Sequence, residues 1–240
     1  TYGAGGGTSD FTVKIAEDIE KHQGVTALAH LTCLSTDEQK LVSVIEQLKA
    51  DNIENILALR GDKGELSVPG AFTHASELIG LIKAHGDFCI GGACYPEIHP
   101  ESANQKDDIK HLKEKVDAGA EFLVTQMFFD NDVLYNFMYR IREAGINVPV
   151  VAGIMPVTNP KSIKRICRIS GSALPQRFCR IVDKYGDNAE AMTEAGIAYA
   201  TQQIIDLYAN GINAVHVYSM NKPEVAKKIQ SNVSAIIGLK

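Results

Sequence analysis

Arg60, Gly61 and Asp62 end the apolar run NILAL at residues 55–59. A guanidinium, a bare backbone and a carboxylate thus stand side by side where a buried strand finishes. Arginine forks onto phosphate oxygens. Glycine lets the main chain come close. Five other apolar runs end in a similar way. Segment 24–33 delivers His30 and Thr32. Segment 87–96 delivers Tyr95, followed by Glu97, His99 and Glu101. Segment 121–130 carries Gln126 and Asp130. Segment 148–156 ends in Met155-Pro156, with Thr158 and Asn159 beyond. Segment 213–221 offers Tyr218 and Asn221, with Lys222 next in sequence. Arg60 and Lys115 supply cations for phosphates, while Tyr2 and Tyr95 supply faces for an apolar ring system. The pattern suits a large, flat, polyanionic cofactor.

Other chemistries fit less well. His30 and His99 lie far apart, with no carboxylate at metal-site spacing, so no metal is assigned. No G-x-S-x-G supports a Ser-His-Asp site. Lys63, Lys115 and Lys222 fall at loop or helix positions, whereas a Schiff-base lysine is expected on a strand. No G-x-G-x-x-G follows a strand, and the cluster of Gly3 and Gly5 to Gly7 before a helix is too generic to read alone. Cys33, Cys89, Cys94, Cys167 and Cys179 are odd in number and contain no C-x-x-C. They read as reduced thiols of a cytoplasmic protein.

These residues need elements to hold them. The six apolar runs are near-continuous rather than alternating, as expected of strands covered on both faces of a parallel sheet. Amphipathic stretches separate them: 36–52, 75–86, 107–120 and 132–145. Leu78, Ile79 and Ile82 recur at helical spacing, as do Ile109, Leu112 and Val116. Thr36, Asp37 and Glu38 predict a helix start, with Gln39 at the capping-box position. Ala118-Gly119, Ala144-Gly145 and Asn210-Gly211 predict helix ends. A βαβα chain implies a parallel sheet, either doubly wound or closed into a barrel. Polar residues at the C-terminal end of nearly every strand favour the (β/α)8 barrel, in which those ends share one face. Six complete strands are legible where eight are needed. Thr1 to Ala4 would be the tail of an earlier strand and residues 8–22 its helix. The expectation is an N-terminally incomplete TIM barrel over residues 1–240, lacking the first βα unit and most of the second strand.

Composition narrows the function classes. The chain has 240 residues, 45% hydrophobic, enough for one sizeable core. Its 24 basic and 29 acidic residues give a formal charge of −5, and no long basic block advertises nucleic-acid or membrane-surface binding. No apolar stretch approaches the roughly 20 residues of a membrane helix, and the residues given contain no secretory-leader pattern.

Several segments together resemble the flavin-dependent catalytic barrel of methylenetetrahydrofolate reductase. They are TYGA (1–4), AHLTC (29–33), ALRGD (58–62), YPEIHPES (95–102), HLKEKVDAGAEF (111–122), TQMFFD (125–130), GIMPVTN (153–159) and VYSMNK (217–222). They occur in family order over nearly the whole chain, and ALRGD with YPxxHPE and TQxFFD is the most specific combination. The resemblance implies a (β/α)8 barrel holding FAD at its strand ends. NADH or NADPH would reduce the flavin and leave. 5,10-Methylenetetrahydrofolate would then take the hydride by ping-pong exchange and become 5-methyltetrahydrofolate. The resemblance further implies a cytoplasmic homo-oligomer. No nucleic-acid or membrane partner is expected.

Carried over by matched position, the resemblance places Thr1, Tyr2 and Ala4 along the flavin, held by His30 and the backbone near Arg60 and Gly61. Ala75 would line the pocket, with His74 where relatives often have Tyr. Tyr95, His99, Glu101 and Ser102 would hold the ribityl–diphosphate–adenosine portion, aided by Asp108, His111 and Lys115. Asp62 would sit near both the flavin ring and the folate. Gln126 would reach the pterin and the nicotinamide, and Tyr218 and Lys222 would face the folate. Two departures stand out. The family's general acid is a glutamate in a first-strand segment resembling E-F-F-P-P, which these residues lack. Relatives also usually have Arg where this chain has Lys222. A flavin- or folate-binding chain impaired in catalysis is the alternative expectation.

Overall fold

The structure, a computed structural model, describes residues 10–62 and 70–238. Elements alternate along the chain. They are α1 (Asp10–Gln23), β1 (Leu28–Thr32), α2 (Glu38–Ala50), β2 (Asn55–Leu59), α3 (Ala75–His85), β3 (Cys89–Cys94), α4 (Gln105–Asp117) and β4 (Phe122–Thr125). They continue with α5 (Asn131–Glu143), β5 (Val150–Ile154), α6 (Pro160–Ser170), α7 (Gln176–Tyr185), α8 (Ala189–Ala209), β6 (Val215–Val217) and α9 (Pro223–Val233). This is an α/β fold whose sheet order, β1-β2-β3-β4-β5-β6, is the order of the strands along the chain. β1–β2, β2–β3 and β5–β6 pair in parallel. Among the described residues there are thus six strands of the eight that a closed (β/α)8 barrel requires.

Two compact units carry these elements. The first comprises residues up to Ala93 together with Lys110–Leu123. In it, Ala29 and Leu31 of β1, Ile56 and Ala58 of β2 and Ile90 of β3 enter one core with Leu41, Ile45 and Leu48 of α2 and Leu78, Ile79 and Ile82 of α3. Parallel register puts His30 beside Leu57 and Leu57 beside Gly91, so these belong to the opposite face of the strands. That alternation keeps His30 out of the helix-covered core.

The second unit comprises Cys94–Ile109 and Val124 onward. Its core gathers Met127 and Phe129 from the segment after β4, Met155 and Val157 from the segment after β5, and Ile163, Phe178, Val182, Met192 and Tyr199 from α6, α7 and α8. The Phe129 and Phe178 rings stack with centroids 5.7 Å apart. The apolar run at 121–130 therefore outlasts its strand. Met127, Phe128 and Phe129 are buried, but as a core-forming loop rather than as β-structure. The runs at 24–33, 87–96, 148–156 and 213–221 are likewise trimmed at both ends, whereas the apolar run at 55–59 is strand throughout.

The helix signals translate closely. Asp37, not Thr36, is the N-cap of α2, and its side chain accepts the Lys40 N–H at 2.8 Å. Gly119, Gly145 and Gly211 all take positive φ just beyond helices. Between residues 160 and 211 the sequence reading fixes only a helix end at Asn210-Gly211. The structure places three helices there. α8 buries Met192, Ala200, Ile204 and Thr201 at several angles round its axis, which weakens the one-sided pattern that reveals a surface helix.

Candidate functional site

Strand ends deliver the polar residues as the sequence predicts. Arg60, Tyr95, Gln126, Met155 and Tyr218 each follow directly on the last residue of β2, β3, β4, β5 and β6.

In the first unit the β1 and β2 ends are tied by main-chain bonds. The Leu34 N–H donates to the Arg60 carbonyl at 2.9 Å, and the Cys33 thiol approaches the same oxygen at 3.7 Å. Burial pushes the Cys33 thiol up to about 11, so it stays a thiol and serves packing. Arg60 Nε donates to the Gly61 carbonyl at 3.3 Å. Gly61 has φ +90, and a Cβ there would lie 3.2 Å from the Thr32 Cβ. Its glycine is therefore required by local backbone and by the neighbouring strand, besides any ligand. Asp62 is exposed at the edge of the described residues. Ala75 is buried at the start of α3, whereas His74 is the exposed N-cap, its Nδ1 2.9 Å from Thr73 Oγ1. Lys115, from α4, donates its ammonium to the Ala93 carbonyl at 2.9 Å and so reaches β3 near its C-terminal end. His111 is exposed and pairs through Nδ1 with Glu114 at 3.0 Å.

In the second unit the segment after β3 is a tightly bonded loop. Asp108 Oδ1 accepts from Ser102 Oγ at 2.9 Å, and its Oδ2 accepts from the His99 N–H at 3.3 Å. The Glu101 N–H donates to His99 Nδ1 at 3.1 Å, which fixes that nitrogen as an acceptor. The Tyr95 and His99 rings meet edge to face, 4.6 Å apart. The structure thus brings Tyr95, His99, Glu101, Ser102 and Asp108 together, with Asp108 as the organiser of the loop.

Gln126 and Tyr218 also meet a common framework in this unit. Gln126 Oε1 accepts the Met127 N–H at 3.0 Å, and the Gln126 N–H donates to the Cys94 carbonyl at 2.7 Å. Tyr218 donates its hydroxyl to the Thr125 carbonyl at 2.7 Å. Burial raises the Tyr218 pKa, so the phenol remains a donor. Gly153 admits that ring: a Cβ there would lie 2.7 Å from Tyr218 Cε2. Lys222 caps α9 and donates to Thr158 Oγ1 at 2.8 Å, which holds its head near the segment after β5. Asn159, by contrast, is spent on capping α6 through the Lys161 N–H.

Thr1, Tyr2, Ala4 and Lys63 lie outside the described residues. Sequence reasoning assigned no role to His216, Glu97 or Ser172. His216 packs edge to face on Tyr218 at 4.6 Å, and burial lowers its pKa, favouring the neutral ring. Its period-two spacing from Tyr218 was the available signal. Ser172 sits in a helix–helix turn, with no signal in its neighbours.

A polar cleft of about 190 Å³ opens between α5 and α8, lined by residues that include Asp130, Asn131, Arg177, Tyr199, Gln203 and Asp206. Asn131 Nδ2 donates to Asp206 Oδ2 at 2.7 Å and to the Gln203 carbonyl at 3.0 Å. Hydrogen bonds from Tyr135 and Asn131 hold the Asp206 carboxyl below the usual range. Burial first, and then Asp206, push the Tyr135 phenol up to about 12. Arg177 stacks 5.1 Å over Tyr199 and donates to its hydroxyl. These groups satisfy one another as an inter-helix tie. Among the described residues, no group of three or more His, Cys, Asp or Glu is placed to hold a metal ion. Nor is any described helix long and apolar enough to cross a membrane.

The family model described as "Methylenetetrahydrofolate reductase" matches residues 1–234. The chain belongs to the methylenetetrahydrofolate reductase family. It is 35% identical to "Methylenetetrahydrofolate reductase (NADH) 1" of Arabidopsis thaliana over 98% of this chain and 43% of that protein. It is 34% identical to 5,10-methylenetetrahydrofolate reductase of Escherichia coli (strain K12) over 100% of this chain and 80% of that one. The chain thus spans less than half the length of the plant relatives it matches. A solved structure described as an uncharacterized protein from Clostridium thermocellum that binds two copies of 5-methyl-5,6,7,8-tetrahydrofolic acid has a TM-score of 0.65 at 11% identity. It covers 92% of this chain and 77% of that chain, a likeness of fold. Within the methylenetetrahydrofolate reductase family framework, ALRGD spans the end of β2, YPEIHPES the bonded loop after β3 and TQMFFD the end of β4.

Proposed function

We propose that this chain reduces 5,10-methylenetetrahydrofolate to 5-methyltetrahydrofolate, with NADH or NADPH as electron donor and FAD as bound cofactor, on a (β/α)8 barrel. The observation that carries this reading is the family match over residues 1–234. The folate bound by the C. thermocellum protein belongs to the same chemical class as the proposed product. Five free cysteines support a reducing, cytoplasmic setting.

The donor chemistry of the strand ends fits a flavin dinucleotide. Arg60 and Lys115 offer charge-assisted donors for a diphosphate. His30 and the Arg60–Gly61 backbone hold the ring system, next to Ala75 and His74. Tyr95, His99, Glu101 and Ser102 hold the sugar and adenosine parts. Asp108 shapes that loop, and Lys115 and His111 lie along α4. Thr1, Tyr2 and Ala4 complete the flavin contacts by family position. A flavin held there would supply two-electron hydride chemistry between nicotinamide and folate.

The chain's own residues then position substrate and tune charge. Asp62 places a fixed negative charge where the folate's cationic iminium form develops, which favours that form. The same charge opposes adding electrons to the cofactor. Gln126, with its oxygen turned to the Met127 N–H, presents its amide to pterin or nicotinamide. Tyr218 and Lys222 orient the folate. Lys222 offers a point charge and not the planar fork of arginine.

Spectroscopy tests the reading. Purified protein incubated with FAD is expected to turn yellow, bleach with NADH or NADPH in the absence of oxygen, and recover colour with methylenetetrahydrofolate. Yellow protein that never bleaches would leave only a flavin-binding module. Protein that stays colourless with FAD would point to a flavin-free barrel instead.

A further inference from the structure

The turn between α6 and α7 grips two strand-end loops through three consecutive residues. The Ala173 N–H donates to both carboxylate oxygens of Glu97, each 2.9 Å away, in the loop after β3. Ser172 Oγ donates to the Met127 carbonyl at 2.8 Å, in the segment after β4, and also meets Ser170 Oγ at 3.0 Å. Gly171 ends α6 with φ +74 and leans on the same β3 loop: a Cβ there would lie 3.2 Å from Pro100 Cγ and 3.5 Å from the Ile98 carbonyl. Met127 is thus held from both sides. Its N–H is bonded to Gln126 Oε1 and its carbonyl to Ser172.

Glu97 is half-buried, and among the described residues its hydrogen-bond donor is the Ala173 N–H: burial raises its pKa while the Ala173 bond opposes the rise. A carboxylate kept in such surroundings for a single main-chain N–H is serving placement rather than solvation. Ser172 is 8% exposed and bonds the main chain directly.

We propose that the Gly171–Ala173 turn is a positioning brace: Glu97 fixes the 95–102 loop, and Ser172 fixes the orientation of Gln126 through Met127. What the two loops hold rests on the function proposed above, but the brace belongs to the chain without ligand. Glu97 and Ser172 are therefore positioning residues whose effects separate by loop.

Hydrogen–deuterium exchange of the flavin-free chain tests this first. Glu97→Ala is expected to speed amide exchange across 97–102 by about tenfold, the loss of one charge-assisted bond, while leaving 126–129 slow. Glu97→Gln retains an acceptor oxygen for the Ala173 N–H and restores slow exchange. Should Glu97→Ala not fold, Glu97→Asp keeps the charge but shortens the reach, and is expected to loosen the same segment. Ser172→Ala is expected to speed 126–129 alone. With ligands, Glu97→Ala weakens FAD binding by about tenfold, recoverable at saturating FAD, whereas Ser172→Ala lowers kcat by a similar factor with FAD affinity retained. Unchanged exchange, or equal loosening of both segments by either variant, would overturn the brace. Wild-type chain that takes up no FAD would instead overturn the proposed function, and the exchange pattern would then decide the brace.

Discussion

Asp62 carries the charge on which the proposed chemistry turns. Removing it should split the two half-reactions in opposite directions. Asp62→Asn is expected to speed bleaching by the nicotinamide, because electrons no longer enter against a fixed negative charge. It should slow recovery with methylenetetrahydrofolate by about tenfold or more, because the cationic form loses its counter-charge. Stopped-flow absorbance measures each step separately, and a parallel loss in both would argue against the electrostatic role. Asn131 carries a structural burden instead. It bonds the Gln203 carbonyl, the Asp206 carboxylate and the Gln203 amide, while Gln203 Oε1 is already a buried acceptor without a donor among the described residues. Asn131→Ala should cost about 1–3 kcal/mol in chemical denaturation, since it strands further buried polar groups. His216 sets a pH dependence. Burial depresses its folded pKa below the ordinary value of about 6.5, so its contribution to stability is present above that value. That contribution is lost as pH falls through the depressed pKa. Thermal melts from pH 7 to 5 should fall less steeply in His216→Gln than in the parent chain.

At the scale of elements, the helix boundaries were written locally and the strands less so. Asp37 caps α2 because an Asx side chain reaches the N–H three residues on. That is a property of a few neighbouring residues, and it is legible to within one position. The strand at 121–130 was over-read because Met127 to Phe129 are as buried as any strand residue. Burial, not hydrogen bonding, is what an apolar run reports. α8 was illegible for the converse reason: a helix covered on several sides loses its polar face. The α6 terminus at Gly171 makes a sharp test at this scale. Gly171→Ala must place a methyl in the left-handed region and against Pro100. It should destabilise the chain by about 1–2 kcal/mol, read from the urea midpoint. Substitution of the neighbouring exposed Arg168 provides the control.

At the scale of the whole molecule, the proposed cofactor should appear as a stability increment. A ligand that binds only the folded chain adds about 2.7 kcal/mol at 100 times its Kd, by mass action. Excess FAD is therefore expected to raise Tm in differential scanning fluorimetry, and NADH without FAD should raise it far less. No shift with FAD would contradict the flavin contacts assigned to the loop after β3.

The sequence by itself determined the βα alternation, the parallel sheet and the polar residues at nearly every strand end. These depend on period, run length and turn chemistry, all of which act over a few residues. It also placed Tyr95, His99, Glu101 and Ser102 in one motif with Asp108 a few residues beyond, and their proximity in the loop follows largely from short chain separation. Only the tertiary structure decided that Glu97 fastens to the distant Gly171–Ala173 turn, that Ser172 of that turn holds the Met127 carbonyl, and that Tyr218 is held by the Thr125 carbonyl. Such bonds join residues 45 to 93 positions apart. Partners at that separation are chosen by how packed elements bring donors to acceptors, and no local pattern encodes the choice.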